Sequence, residues 1–458
     1  MIMSAIFEKF AKKAPVAVIA RASLEYALEP KGIDALFART AEQQYERKLL
    51  FSTLLDLTAL VVCDVHPSVR SAYRAMRAEI PVSLTAVYDK LGGVDLSTTE
   101  ALVAYSAERL GAEIAEMGDA EPWLAGYRIR VLDGNHLAAT EHRLEVLRAV
   151  GAGPLPGQAL VVLEPESGLV VQIVGCEDGH AQERSLLEPI LANAGRTHLY
   201  LADRNFCTLG FLLGLAARGS HFAIRHHANL PIASAGTLRA RGRTATGTVF
   251  EQPITLRFGD AELRARRIVL RLDTPTRDGD TEMAIITNLP LEIEANRIAD
   301  LYRRRWSIES FFARIEHNLQ SELPTLGYPK AALFGFGVSL VAANVFAVVH
   351  AAMEAAKRAT PAVADRPLSE YAIVEELRSM HRGMDVVVDD EEWSVFPAMS
   401  PRTFAHRLVE WAASTDWERF HKAIRGPKRP PPKRERFKNK PHVSTARLLA
   451  GTDPAEDA

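Results

Sequence analysis

The segment 331–353, AALFGFGVSLVAANVFAVVHAAM, contains no Asp, Glu, Lys or Arg. A run this long and apolar either crosses a membrane or forms the central helix of a large core. Ser339, Asn344, His350 and many Ala and Gly residues dilute its hydrophobicity, and a basic segment follows later in the chain. These features favour a buried core helix, so much of the protein is expected to pack around it.

The bulk properties are those of an ordinary globular protein. The 458 residues allow about three domains at about 150 residues each. Cys63, Cys176 and Cys207 are too few and too scattered for a disulfide framework or a zinc site, which predicts core cysteines in a reducing cytosol. The start, MIMSAIFEKFAKKAP, breaks its apolar run with charges, so no secretory signal is predicted.

Positive charge is concentrated locally, although the whole chain has a net charge of -2. Residues 237–277 contain nine arginines against four acidic residues. Residues 425–440, RGPKRPPPKRERFKNK, contain eight Lys or Arg against one acid, with prolines that exclude a helix. This pattern predicts an extended basic arm that contacts nucleic-acid phosphates, followed by a polar, disordered tail.

The chain begins with helical patterns and then changes to strands. The first 120 residues predict helices, one opened by a capping box from Ser97 to Glu100, and 81–94 predicts a structural helix rather than a recognition helix. From about 125, YRIRVLDGNHL, ALVVLEPESG and LVVQIVGCEDG predict consecutive antiparallel strands. A helix, a strand (THLYLADRNF) and another helix follow, and GAGPLPG at 151–157 is expected to be a turn.

A long helix is predicted around LYRRRWSIESFF, at 301–312. The apolar residues of this helix recur at three- and four-residue steps and predict a buried stripe: Ile298, Leu301, Ile308, Phe312, Ile315 and Leu319. Beside it, Tyr302, Arg305, Glu309 and Glu316 fall within about 60° of one another. On this helix alone, a solvated face with salt bridges is favoured over a catalytic one.

Two further carboxylates change that balance. Asp133 in VLDGN and Asp203 in LADRN end apolar strands, where a charge is costly unless it is paired or metal-bound. Each alone is more often a turn-capping residue. Together with Glu309 they can converge on one sheet edge as oxygen ligands for hard divalent cations, such as a pair of Mg²⁺ ions acting in a displacement at phosphorus.

Other candidate residues are weaker. His136, His226 and His227 lack metal-ligand spacing and are expected to lie at the surface or form hydrogen bonds. Phe250, Phe258 and Trp306 could stack on an unpaired base, but core packing is the favoured prediction for each.

The segment YRRRWSIE resembles the Tyr-Arg-Glu part of the signature of bacterial insertion-sequence DDE transposases, the insertion sequence four family. LDGN and ADRNF resemble the blocks that hold its two catalytic aspartates, and LLFSTLLDLTALVV, TLGYPKAALF and HVSTARLL extend the resemblance. It implies an α/β, ribonuclease-H-like core with a β-rich insertion, flanked by helical regions. It also implies that Asp133, Asp203 and Glu309 are catalytic and bind Mg²⁺, for which Mn²⁺ can substitute.

The resemblance further implies cut-and-paste transposition, with DNA (terminal inverted repeats and target) as partner and a homodimer in the synaptic complex. The expected location is the bacterial cytoplasm, at the nucleoid, without a membrane. The residues expected to contact DNA are Tyr302, Arg304, Arg305, Arg204, Lys428, Arg429, Lys433 and Arg434. One position departs from the signature, since Glu316 stands where the family has a lysine. Rival hypotheses are a catalytically decayed or domesticated DNA-binding protein and another ribonuclease-H-like nuclease.

The predicted organisation has five parts. The ranges are 1–120 for a helical DNA-binding region, 121–225 with 281–355 for the catalytic core, 226–280 for the β-rich insertion, 356–424 for a helical C-terminal region, and 425–458 for the basic arm and tail.

Overall fold

A computed structural model of the chain describes most of the sequence. The described residues are 3–42, 48–118, 121–137, 144–276, 279–422 and 442–451. The protein is a mixed α/β structure with a large central sheet and helices at both ends of the chain. The basic segment 425–440 lies outside the described residues, so the arm predicted there stays a prediction.

The N-terminal part is helical, as predicted. Its helices are α1 Ala5–Lys13, α2 Pro15–Ala27, α3 Pro30–Thr40, α4 Phe51–Val62, α5 Val69–Ala75, α6 Leu84–Gly92 and α7 Leu96–Glu116. Helix α6 buries Val87 and Leu91, in agreement with a structural helix. The capping box at α7 is wrong: Asp95 is the N-cap residue, while Glu100 accepts a hydrogen bond from Gly175 N at 2.9 Å.

The middle of the chain forms the sheet and the elements that cover it. These are β1 Arg128–Leu137, α8 Glu145–Arg148, β2 Gly153–Leu155, β3 Gly157–Glu164, β4 Leu169–Cys176, a 3₁₀ turn Glu183–Leu186, α9 Glu188–Ala192, β5 His198–Ala202, a 3₁₀ turn Arg204–Phe206, α10 Leu209–Ala217, β6 His221–Arg225, β7 Ser234–Ala235, β8 Arg239–Thr244, β9 Gly247–Phe258, β10 Ala261–Leu272 and β11 Glu282–Thr287.

The C-terminal part is again mostly helical. It contains α11 Ala295–Arg303, a 3₁₀ turn Arg304–Trp306, α12 Ser307–Asn318, α13 Pro329–Arg358, α14 Glu370–Val387, α15 Asp390–Trp393, a 3₁₀ turn Phe396–Ala398, α16 Pro401–Ala413, α17 Trp417–Phe420, β12 His442–Ser444 and α18 Thr445–Leu449. The helix predicted around 301–312 is therefore interrupted by a tighter turn at Arg304–Trp306, although its predicted apolar stripe is buried or half-buried.

The strand order in the sheet is β4-β3-β1-β5-β6-β11-β10-β9-β7, with β8 paired to β9. The three strands predicted first, β1, β3 and β4, are antiparallel neighbours, as expected. Strands β5 and β6 then run parallel to β1. Strands β9 and β10 of the predicted insertion join this sheet through β11, so the insertion extends the central sheet.

Two segments differ from the expected turn and tail. Part of the 151–157 segment forms β2, which pairs in parallel with β12 from the C-terminal part of the chain. Helix α18 follows β12, and Arg447 Nε donates to Asp178 Oδ2 at 2.8 Å. Residues 442–449, which fall in the range expected to be arm and tail, are thus a strand and a helix docked on the middle of the chain.

Helix α13 is the buried helix that the uncharged segment predicts. It contacts α2, α4, α7 and α16, and 94% of its most apolar 18-residue stretch is buried inside the protein. One continuous hydrophobic core runs from Phe7 in α1 to Phe420 in α17. The burial of apolar surface between helices from both ends of the chain is therefore what holds this part together.

Asn344 ties α13 to the edge of the sheet. Its side chain is fully buried, accepts a hydrogen bond from Val170 N at 2.7 Å, and donates to Val170 O and Ser106 Oγ, both at 3.0 Å. Since β4 is an edge strand, these bonds satisfy backbone groups that would otherwise be buried without partners.

We expect Asn344→Leu to lower the free energy of unfolding by on the order of 2 to 4 kcal/mol, because it leaves the N–H and C=O of Val170 unpaired. Urea denaturation followed by circular dichroism measures the change. Ser339→Ala is the control, since Ser339 is equally buried on α13 but bonds only to Phe336 O of the same helix. A loss for Asn344→Leu no larger than for Ser339→Ala would contradict the assigned role.

Candidate active site

Parallel pairing brings the two aspartates to the same edge of the sheet. Leu132 of β1 is in register with Ala202 of β5, so Asp133 and Asp203 are the next residues on neighbouring parallel strands. Strand β1 continues past this point against β3, where Asp133 is in register with Val161. Asp203 directly follows β5 and caps the next 3₁₀ turn, accepting a hydrogen bond from Asn205 N at 2.5 Å.

Arg305 connects this edge to helix α12. Its Nη1 donates to Asp133 Oδ2 at 3.3 Å, and its Nη2 donates to Glu309 Oε1 at 2.9 Å. The residue is only 7% exposed, although it lies in a run of three arginines. The 3₁₀ turn at Arg304–Trp306 places Arg305 inward while Trp306 is 63% exposed. A strand carboxylate and a helix carboxylate are thereby linked through one buried cation.

The charges of this cluster act on each other strongly. Burial raises the pKa of Asp133 to about 6, against the opposing effects of Arg305 and the Gly134 N–H, and the negative charges of Asp203 and Glu183 add to the rise. Burial alone would lower the pKa of Arg305, but the neighbouring Tyr302, Asp133 and Glu309 outweigh it and the pKa is raised. The edge therefore holds more negative charge than Arg305 neutralises.

Tyr302 is placed differently from the predicted phosphate contact. It is 3% exposed, and its hydroxyl donates to Ala202 O at 3.2 Å. Burial raises its pKa well above the usual range, so the hydroxyl keeps its proton. Because a hydroxyl has only one proton to donate, the bond to Ala202 leaves none for a phosphate. In this arrangement Tyr302 fastens α11 to the end of β5, next to Asp203.

The other predicted DNA contacts differ in their accessibility. Arg204 is exposed at the start of the 3₁₀ turn after Asp203. The guanidinium of Arg304 lies 3.8 Å from the ring centre of Trp123, in a cation–π contact. The predicted residues Lys428, Arg429, Lys433 and Arg434 lie outside the described part of the chain.

The weaker candidates differ in their outcomes. His136 is exposed and His227 Nδ1 accepts a hydrogen bond from Asn229 N at 3.2 Å, as expected for surface or hydrogen-bonding residues. Core packing is wrong for Trp306 and Phe258, which are 63% and 62% exposed. Phe250 is half-buried under the guanidinium of Arg271 at 4.4 Å.

A cleft of about 320 Å³ opens beside Asp133 and Glu309. Glu316 and Glu322 also line it, with Phe312 and Phe336 on its apolar side. Glu316, which is exposed on α12, therefore lines the same cleft as Asp133 and Glu309. Glu183 is a further acidic residue at the site that the sequence did not reveal, because it lies on a separate turn.

The donor chemistry of this edge suits a hard divalent cation. Asp133, Asp203 and Glu309 offer carboxylate oxygens, the ligand type that Mg²⁺ and Mn²⁺ take. Burial is the main cause of the raised pKa of Asp133, and a bound cation would relieve the additional repulsion from Asp203 and Glu183. As the side chains stand, the described residues contain no group of three His, Cys, Asp or Glu arranged to hold a metal ion.

Sequence comparisons point to one class of protein. Residues 125–340, which run from just before β1 into α13, match the family model described as "Transposase DDE domain". The chain is 26% identical over 163 residues to "Putative transposase y4zB" of Sinorhizobium fredii (strain NBRC 101917 / NGR234), a match over 35% of this chain and 44% of that protein. The chain thus spans less than half of this relative's length.

Among solved structures, the chain is similar to the piggyBac transposase in a cryo-EM synaptic complex with hairpin DNA. The TM-score is 0.39 at 7% identity, over 83% of this chain and 84% of that one. The family match and the relative in Sinorhizobium support a DDE transposase. The matched region contains Asp133, Asp203 and Glu309.

The raised pKa of Asp133 predicts how its replacement changes stability with pH. The folded carboxyl holds its proton up to about pH 6, whereas the unfolded one loses it near about 3.9. Between these values the folded state binds more protons, so this group makes the wild type less stable as pH rises. Asp133→Asn removes that dependence.

The unfolding free energy of Asp133→Asn relative to wild type should therefore rise between about pH 4 and pH 7, by up to about 3 kcal/mol. Urea titrations across this range measure the difference. Asp260→Asn, which changes an exposed carboxylate between β9 and β10, should show no such trend. A constant difference for Asp133→Asn would show that Asp133 is not desolvated.

Proposed function

We propose that this protein is a transposase that cuts DNA at the ends of a mobile element and joins the ends to target DNA. One observation carries the proposal: Asp133 within β1 and Asp203 just after β5 lie side by side on neighbouring parallel strands, and Arg305 links Asp133 to Glu309, all within the region that matches the transposase DDE domain. The order of antiparallel strands followed by parallel ones supports a ribonuclease-H-like core.

The residues that would hold divalent cations are Asp133, Asp203 and Glu309, with Mg²⁺ or Mn²⁺ as the ion. When bound, such ions supply an activated attacking oxygen and stabilise the leaving oxygen in a displacement at phosphorus. Because the three residues lie on β1, just after β5 and on α12, they would supply metal ligands from three different elements.

The chain's own side chains prepare this site. Arg305 fixes the carboxylates of Asp133 and Glu309 relative to each other and offsets part of their repulsion. Tyr302 holds the end of β5 against α11, which sets the position of Asp203. Arg204 directly follows Asp203 in the sequence, and Arg303 lies two residues before Arg305; both are exposed and are suited to hold phosphate oxygens.

DNA contacts beyond the site are assigned to the basic segments. In the sheet extension, many arginines already have acidic partners: Glu251 binds both Arg241 and Arg266, at 2.6 and 2.5 Å. The local excess of positive charge is thus partly used to hold the strands together. We assign the remaining DNA contacts to the basic residues 425–440. We further propose that a homodimer bridges two DNA ends in the cytoplasm, at the nucleoid.

We expect Asp133→Asn, Asp203→Asn and Glu309→Gln each to abolish cleavage and strand transfer while keeping DNA-end binding. An amide conserves volume but is a poorer ligand for a hard cation. Because the three residues act as one unit, single and triple variants should be similarly inactive. The measurements are gel-shift binding and Mg²⁺-dependent cleavage of a labelled inverted-repeat end.

Glu316→Gln is the matched control, since Glu316 lines the same cleft from the same helix as Glu309. It should keep substantial cleavage. Near wild-type cleavage by any of the three variants would remove that residue from the site. Cleavage without preference for the element's ends would instead favour a general nuclease, and end binding without cleavage by the wild type would favour a decayed DNA-binding protein.

Replacing Lys428, Arg429, Lys433 and Arg434 by Ser should weaken DNA binding without changing sequence preference, because an extended arm contacts phosphates rather than bases. Each lost phosphate contact should reduce the salt slope of binding by about 0.9. Substitution is preferable to deletion, since residues 442–449 dock on the core. Arg402→Ser with Arg407→Ser on α16 is the control; an equal slope in both variants would exclude the arm.

A further inference from the structure

Glu183 reaches the candidate active site from a turn that carries no other predicted site residue. It opens the 3₁₀ turn Glu183–Leu186 after β4. Gln158 of β3 holds this segment in place, because its Nε2 donates to Ala181 O at 2.5 Å and to Asp178 O at 3.2 Å. The segment before Glu183 is therefore fixed against the strand next to β1.

One oxygen of Glu183 is bound by the turn that follows β5. Asn205 Nδ2 donates to Glu183 Oε2 at 3.0 Å. Asn205 also donates its backbone N–H to Asp203 Oδ1, so the same residue contacts both carboxylates. Asn205 therefore connects the Glu183 carboxylate to that of Asp203.

The other oxygen of Glu183 lies against β1. A Cβ built on Gly134 would be 1.9 Å from Glu183 Oε1 and 2.5 Å from its Cδ. Gly134 directly follows Asp133, and its backbone does not have a positive φ. The space taken by the Glu183 carboxylate therefore explains a glycine at 134, where backbone conformation does not require one.

This position brings a third carboxylate close to the residues that adjoin the two aspartates. The charge of Glu183 is among those that raise the pKa of Asp133, together with that of Asp203. Like charges at one sheet edge repel each other, and the hydrogen bond from Asn205 offsets part of that cost for the Glu183 carboxylate.

We infer that Glu183 is a positioning residue of the active site: its carboxylate packs against β1 beside Asp133, is bound by the turn that follows Asp203, and adds negative charge where a divalent cation would bind. This inference rests on the proposed function. It extends the acidic site to a fourth carboxylate, from an element outside the three that carry the proposed triad.

The test measures Mn²⁺ binding to the full-length protein by electron paramagnetic resonance, without DNA. Glu183→Gln removes the charge but keeps an oxygen that can accept from Asn205. We expect about 10-fold weaker Mn²⁺ binding, as for other changes around metal ligands, with cleavage at saturating Mn²⁺ close to wild type. Glu183→Ala also removes the hydrogen bond from Asn205 and the packing against β1, so it should lower both the affinity and the saturated cleavage rate.

Gly134→Ala tests the position of the carboxylate without removing it. The added methyl displaces the end of a flexible side chain, so the fold should persist while Glu183 leaves its place. We expect the same losses as in Glu183→Ala, and no further loss when both changes are combined. Thermal unfolding of each variant checks that the fold is kept, and Glu188→Gln, an exposed carboxylate five residues on, is the matched control.

Wild-type Mn²⁺ affinity in Glu183→Gln and Glu183→Ala would overturn the inference, as would a wild type that binds no Mn²⁺. Additive losses from Gly134→Ala and Glu183→Ala would also overturn it, because Gly134 would then act independently of Glu183. If the wild type binds Mn²⁺ in a Glu183-dependent way but does not process element ends, the inference stands and the proposed function fails. If the wild type and both Glu183 variants cleave element ends equally well, the proposed function stands and the inference fails.

Discussion

Burying a guanidinium is costly unless charged partners surround it, and Arg305 meets that condition with Asp133 on one side and Glu309 on the other. Its position requires a break from regular α-helix at Arg304–Trp306, since a continuous helix there would direct the side chains differently. The same turn exposes Trp306. The order of the acidic edge therefore depends on one buried cation, whose loss would leave neighbouring carboxylates to repel each other without a counter-charge.

The sheet gives the acidic edge a rigid base. Parallel pairing of β1 with β5 fixes the two aspartates side by side through backbone hydrogen bonds, with no need for contact between their side chains. Through β6 and β11 the same sheet continues into the long strands β9 and β10. Because the sheet is continuous, a displacement of β9 and β10 would also move the strands that carry Asp133 and Asp203.

The sequence predicted those parts of the fold that local patterns encode. Alternating and continuous apolar runs indicated β1, β3, β4 and β5, and the uncharged segment indicated the buried helix α13. The contacts that depend on tertiary position could not be predicted: the Tyr302 bond to Ala202, the Arg304 stack on Trp123, and Glu183 against Gly134. The capping box failed because Glu100 found a tertiary partner in Gly175, which local rules do not consider.

The pairing of β2 with β12 joins the middle of the chain to a segment near residue 444. During translation, β2 cannot pair until β12, far downstream in the sequence, has been made, and the C-terminal helices that share a core with α1 are also made much later than α1. Contacts this distant in sequence form slowly and leave apolar surface open to aggregation meanwhile. Chaperones that cover these apolar surfaces until the later segments are made would therefore assist folding during synthesis.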